Sequence, residues 1–100
     1  MSGYRIEYNH DNDTLTVGFT GETATNTELV VEAVELLEAL DLQGGKLLKI
    51  TGAASVPIAY AIAHKVIRLF NTIAIFDPKL GGYVVAVTRG VEHSLGDLIN

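Results

Sequence analysis

The sequence predicts a small α/β domain, with about five strands in a mixed sheet and two main helices. Three observations carry this. Segments of period-two alternation stand near the start of the chain, and apolar strand-like runs near its end. Two stretches with apolar residues at helical spacing lie between them. A short apolar run, Leu47-Leu48-Lys49-Ile50, separates the two stretches, so strand, helix, strand, helix and strand follow one another. That order implies parallel strands joined by right-handed crossovers.

Tyr4 to Asn9 alternates, with Tyr4, Ile6 and Tyr8 on one face and Arg5, Glu7 and Asn9 on the other. His10-Asp11-Asn12-Asp13 is a run of turn residues. Thr14 to Thr20 alternates again with Leu15, Val17 and Phe19 inward, which predicts a hairpin. Thr25 followed by Glu28 fits a capping box. The helix it opens is expected from about Thr27 to Leu40. Its stripe is Leu29, Val30, Ala33, Val34, Leu36, Leu37 and Leu40, and Glu28, Glu32, Glu35 and Glu38 form a solvated row outside it. Gly44-Gly45 ends the segment. Lys46 to Thr51 reads as a short buried strand. Pro57 suits the first turn of a second helix running to about Phe70. That helix is apolar nearly all round, so it should be covered on both sides, the second cover being another subunit. Thr72 to Phe76 reads as a central strand and Tyr83 to Thr88 as its hairpin partner. Leu95-Gly96-Asp97-Leu98-Ile99 reads as a second turn-like element. The sum is a Rossmann-like arrangement in one domain, residues 1–100.

Composition bounds what such a domain does. Hydrophobic residues make up 48% and charged residues 19%, below the roughly 25% of an average protein. A short chain with few charges is expected to bury an apolar patch by self-association. Without Cys, disulfides and thiolate zinc sites are excluded. No apolar run approaches the roughly 20 residues of a membrane span, and the first residues lack a signal-peptide core. A soluble, cytoplasmic protein is expected. The formal net charge of -5 argues against coating long duplex DNA or RNA. The charge is unevenly placed, however. Residues 1–45 hold nine acids against Arg5 alone, whereas residues 46–100 hold six basic residues and three acids. A locally positive site is compatible with that split.

Four places can carry chemistry. Gly52-Ala53-Ala54-Ser55 joins a strand to a helix, where small residues admit a ligand and free N–H groups suit an anion. The same residues also fit an ordinary tight connection with Ser55 as cap. Asp77-Pro78-Lys79-Leu80-Gly81 offers a carboxylate for metal or proton and a cation for phosphate, or else a plain Asp-Pro turn. His64 lies on the second helix, a place where a packed histidine is equally at home. Thr88 and Arg89 end the last clear strand, near His93 and Ser94, and Arg89 suits a phosphate clamp or the bare surface.

Taken together, Ala63-His64-Lys65, Ile75-Phe76-Asp77-Pro78-Lys79-Leu80-Gly81 and Gly96-Asp97-Leu98-Ile99 resemble the Csx-three family of small CRISPR-associated proteins with a Rossmann-like fold. The resemblance covers residues 45–100 well and the hairpin and first helix by pattern. It implies a manganese-dependent ring nuclease of type III CRISPR defence, which binds and cleaves the second messenger cyclic tetra-adenylate, with short oligoadenylate RNA as a related ligand. It implies a homodimer, with a higher head-to-tail assembly as an extension. Carried over by position, Asp77 and Lys79 match the active-site turn, with Asp77 as the ligand for Mn2+. His64 matches the His of the triplet, and Gly52, Ala53, Ala54 and Ser55 match the ligand loop. The family often has a His at the end of the strand after the turn. This chain holds Thr88 or Arg89 there, with His93 nearby. Two readings follow: a nuclease, or a module that captures a cyclic oligonucleotide without turnover.

Overall fold

The computed structural model describes residues 3–100. β1 (Tyr4–Asn9) and β2 (Thr14–Phe19) form the expected antiparallel hairpin, with Tyr4 opposite Phe19 and Asn9 opposite Thr14. Tyr4, Ile6, Leu15 and Val17 turn into the core. α1 (Asn26–Leu40) begins behind Thr25, whose N–H donates to Oε1 of Glu28 at 2.9 Å, half of the capping box that the spacing predicts. Leu29, Ala33 and Leu37 bury its apolar stripe. Glu28, Glu35 and Glu38 are exposed, as a solvated row should be. Glu32 departs from it: half-buried, it accepts the Gly3 N–H at 3.0 Å and ties the start of the chain to α1.

β3 (Gly45–Gly52), α2 (Val56–Val66), β4 (Phe70–Asp77) and β5 (Gly82–Thr88) follow, and β6 (Leu98–Ile99) completes six strands. The spatial order equals the chain order. β2, β3 and β4 are parallel; the pairs β1/β2, β4/β5 and β5/β6 are antiparallel. Two successive crossovers of one hand, advancing in one direction, place both helices on one face of the sheet. α1 and α2 pack against each other there. The core lies between them and the sheet, with Tyr4, Leu15, Leu48, Ile58, Ile73 and Phe70 almost wholly buried.

Three expectations change. α2 stops at Val66 rather than near Phe70. The Leu69 N–H turns back to the Val66 carbonyl at 2.9 Å, and the Leu69 carbonyl accepts the Gly45 N–H at 3.0 Å. Phe70 is apolar because it opens a core strand, so its helical spacing was misleading. The tail, expected as a turn, is a turn and then a strand. Asp97 and Ser94 close the turn through two hydrogen bonds, and Leu98 and Ile99 pair with Val84 and Tyr83. Two residues are too few to display a period. Finally, Phe19, expected inward, is 45% exposed at the end of β2. In α2, Ile58, Ile62 and Val66 are buried while Val56 and Tyr60 are 71% and 75% exposed, so the side for which another subunit is expected is open within the chain. Among the described residues, no helix is long and apolar enough to cross a membrane.

Candidate functional site

The parallel strands β2, β3 and β4 bring their carboxyl ends to one edge of the sheet, where open α/β folds place ligands. At that edge Gly52 ends β3 with φ +124°, and a Cβ there would sit 1.8 Å from the Val17 carbonyl oxygen. Only glycine fits so close a passage of two backbones. The Ala53 N–H donates to the same Val17 carbonyl at 3.1 Å. The Ala53 carbonyl accepts the Tyr4 hydroxyl at 2.6 Å. Burial of Tyr4 pushes its phenol up to about 12. Ser55 closes the loop: its Oγ donates to Asn26 Oδ1 at 2.8 Å and accepts the Ile58 N–H at 3.4 Å as the cap of α2. The loop is therefore held from three elements, β1, β2 and α1, while Ala53 and Ala54 stay exposed. α2 points its positive end at the same edge, with no acid in its first turn.

Asp77 ends β4 beside this loop. Its Oδ1 accepts the Lys79 N–H at 2.8 Å and the Leu80 N–H at 3.3 Å, and its carbonyl accepts the Gly81 N–H at 2.9 Å. The Asp-Pro turn is thus formed. Both amides bond Oδ1, which fixes the carboxylate and engages neither donor with Oδ2. Lys79 is exposed. Among the described residues, no three His, Asp or Glu side chains converge on one point. Within one copy the turn therefore offers a metal ion the single carboxylate of Asp77, and phosphate and water would supply the other ligands.

The remaining predicted residues stand at the opposite, amino edge. His64 lies on the last turns of α2, which runs back from the carboxyl edge to the start of β4. Its Nε2 is 3.5 Å from the Arg68 guanidinium. Thr88 faces Thr72 across the β4/β5 pair, their hydroxyls 2.9 Å apart. The Arg89 guanidinium donates to the Phe70 carbonyl at 2.9 Å. His93 is half-buried in the segment between β5 and β6. The five residue steps of β4 from Thr72 to Asp77 span about 17 Å at a strand's rise. One copy therefore brings Gly52, Ala53, Ala54, Ser55, Asp77 and Lys79 together, and keeps His64, Thr88, Arg89 and His93 apart from them. Lys46, Lys65, Arg68 and Arg89 lie at the amino edge together with Glu38, Asp41 and Glu92, and Lys65 pairs with Glu38 at 3.0 Å.

An apolar groove of about 320 Å³ opens between α2 and the β4/β5 strands. Ala59, Tyr60 and Ala63 form one wall, Ile75 and Val87 the other, and Ala54 of the loop one end. Sequence reading missed three contributors to the loop: Tyr4, Val17 and Asn26. Alternation placed Tyr4 and Val17 inward, but no local pattern reports a bond between residues 49 positions apart.

A search of curated proteins finds no match. The model of the family described as CRISPR-associated protein (Cas_csx3) matches residues 22–100, from the approach to α1 to the end of β6 and beyond. The match takes in both edges, the loop, the Asp77 turn and the tail, and leaves out the β1/β2 hairpin. With the greater part of its length matched, the chain belongs to this CRISPR-associated family, Csx-three.

Proposed function

We propose that the chain is a ring nuclease that binds and cleaves cyclic tetra-adenylate, each site being completed between copies stacked head to tail. The observation that carries this reading is the division of the site. A preorganised loop, a helix N-terminus, Asp77 and Lys79 occupy the carboxyl edge, and His64 with Arg68 lies on the opposite side. A repeated assembly places one edge against the other, around a ligand with repeated phosphates. The exposed Val56, Tyr60 and adjoining groove give a second copy apolar surface to bury in a homodimer.

In the reaction, a ribose 2′-hydroxyl attacks its neighbouring phosphorus and the bond to the 5′ oxygen breaks. The Asp77 carboxylate takes the 2′ proton. His64 of the adjoining copy gives a proton to the leaving 5′ oxygen. Lys79 steadies charge on phosphorus, while the loop and α2 N-terminus hold another phosphate. The products are a linear oligoadenylate with a 2′,3′-cyclic phosphate and a 5′-hydroxyl. Manganese, where bound, would sit at Asp77 with phosphate and water as its other ligands and would polarise the phosphate; the steps above are those of the chain's own residues.

A second reading, capture of the ring without turnover, draws on Thr88 and Arg89. One or the other stands where the family often has His, and each makes an internal hydrogen bond. Incubation of purified protein with labelled cyclic tetra-adenylate, with and without manganese, separates the two. Linear products that vanish in Asp77→Ala support the nuclease. Tight binding without products supports capture, and absence of binding overturns both.

A further inference from the structure

We infer that the N-terminal hairpin is part of the ligand site, with Tyr4 as a positioning residue that sets the Gly52–Ser55 loop. The inference rests on the reading of that loop as the phosphate-binding element. Tyr4 has no solvent exposure, yet its hydroxyl crosses β2 to reach the Ala53 carbonyl at 2.6 Å. A buried hydroxyl without a partner is costly, so this bond is obligatory on the Tyr4 side. On the loop side it fixes one end of the Ala53 peptide group, and the Val17 carbonyl fixes the Ala53 N–H at 3.1 Å. Both ends of Ala53 are thus set by the hairpin, on either side of the Cα.

The consequence is directional. The Ala53 N–H is given to Val17 and is withdrawn from an incoming anion, while the Ala53 carbonyl, which would repel one, is turned to the Tyr4 hydroxyl. Gly52 allows the hairpin to lie close enough for both bonds, since any side chain would strike Val17. Phe19 meets the Tyr4 ring edge-on at 5.3 Å, on the ring rather than at the hydroxyl's bond to Ala53. Tyr4 and Val17 both precede residue 22, so the shape of the loop depends on a segment outside the family match.

Amide hydrogen exchange on the wild type, Tyr4→Phe and Phe19→Ala tests this. In Tyr4→Phe, exchange at residues 53–56 is expected to rise about fivefold, the equivalent of one ordinary hydrogen bond, with β3 unchanged. In Phe19→Ala the loop should exchange as in the wild type. Equal exchange in Tyr4→Phe, or a rise spread over β3, overturns the inference. The wild type offers a check that needs no variant: the Tyr4 hydroxyl proton should give a slowly exchanging resonance with a contact to Ala53, and its absence overturns the inference too. With cyclic tetra-adenylate as probe, KM should rise roughly three- to tenfold in Tyr4→Phe while kcat holds. A wild type that binds no ring overturns the nuclease reading and leaves the exchange result to decide the role of Tyr4.

Discussion

Tyr4 joins two demands that usually conflict, a ring in the core and a hydroxyl bonded to a loop that faces water. Burial disfavours its anion and pushes the phenol from 10.0 to about 12. The folded state therefore binds this proton more tightly than the unfolded chain does. The contribution to stability is complete below about pH 10 and is lost as pH rises from there through about 12. Melting followed against pH should show the wild type losing on the order of 1 to 2 kcal/mol across that window that Tyr4→Phe does not lose. Solvent at the exposed loop screens part of the full shift. An equal decline in both proteins would refute the assignment. The inward face of Tyr4 was legible from alternation. Its partner was not, since a hydrogen bond between β1 and the end of β3 leaves no local trace. Arg89 and Thr88 show the same limit from the other side. Both were readable as candidates, and both turn out to hold the start of β4 through Phe70 and Thr72.

Elements were legible where composition and geometry agreed. The capping pair Thr25 and Glu28, the stripe of α1 and the alternation of the hairpin each reported one structural fact. α2 was harder, because its apolar residues serve three purposes: Ile58, Ile62 and Val66 fill the core, Ala59 and Ala63 line a groove, and Phe70 belongs to the next strand. Hydrophobicity alone does not separate these. The start of α2 is where the element and the site meet. Ser55 caps the helix through Ile58 and ties it to α1 through Asn26. Ser55→Ala should cost about 1 kcal/mol, the ordinary worth of an N-cap. In a domain of this size that lowers the melting temperature by roughly 4 to 8 °C. Asn26→Ala removes the tie and leaves the cap, so it should cost less. A larger loss from Asn26→Ala than from Ser55→Ala would show that the tie to α1, rather than the cap, holds the loop.

At the scale of the whole molecule, the strand directions bring the basic residues that begin β3, end α2 and follow β5 to one edge, where Glu38, Asp41 and Glu92 join them. Sequence reading found the basic half. It did not find that Asp77 stands at the far edge, because which end of a strand a residue occupies follows from topology. The division makes a prediction that neither edge makes alone. If a site forms only where the carboxyl edge of one copy meets the amino edge of the next, Asp77→Ala spoils one partner in a junction and His64→Ala the other. Each variant alone contains only defective junctions. Mixed in equal amounts, random stacking gives about one junction in four with both residues intact. Cleavage of cyclic tetra-adenylate should then return to about a quarter of the wild-type rate, although neither protein cleaves by itself. His64 is exposed and its ring contact, Arg68, is a surface residue, so His64→Ala leaves the fold in place. A site contained within one copy predicts no recovery on mixing. Raised salt should weaken the recovery, since Lys79 of one edge and His64 and Arg68 of the other would meet the phosphates of the ring between them.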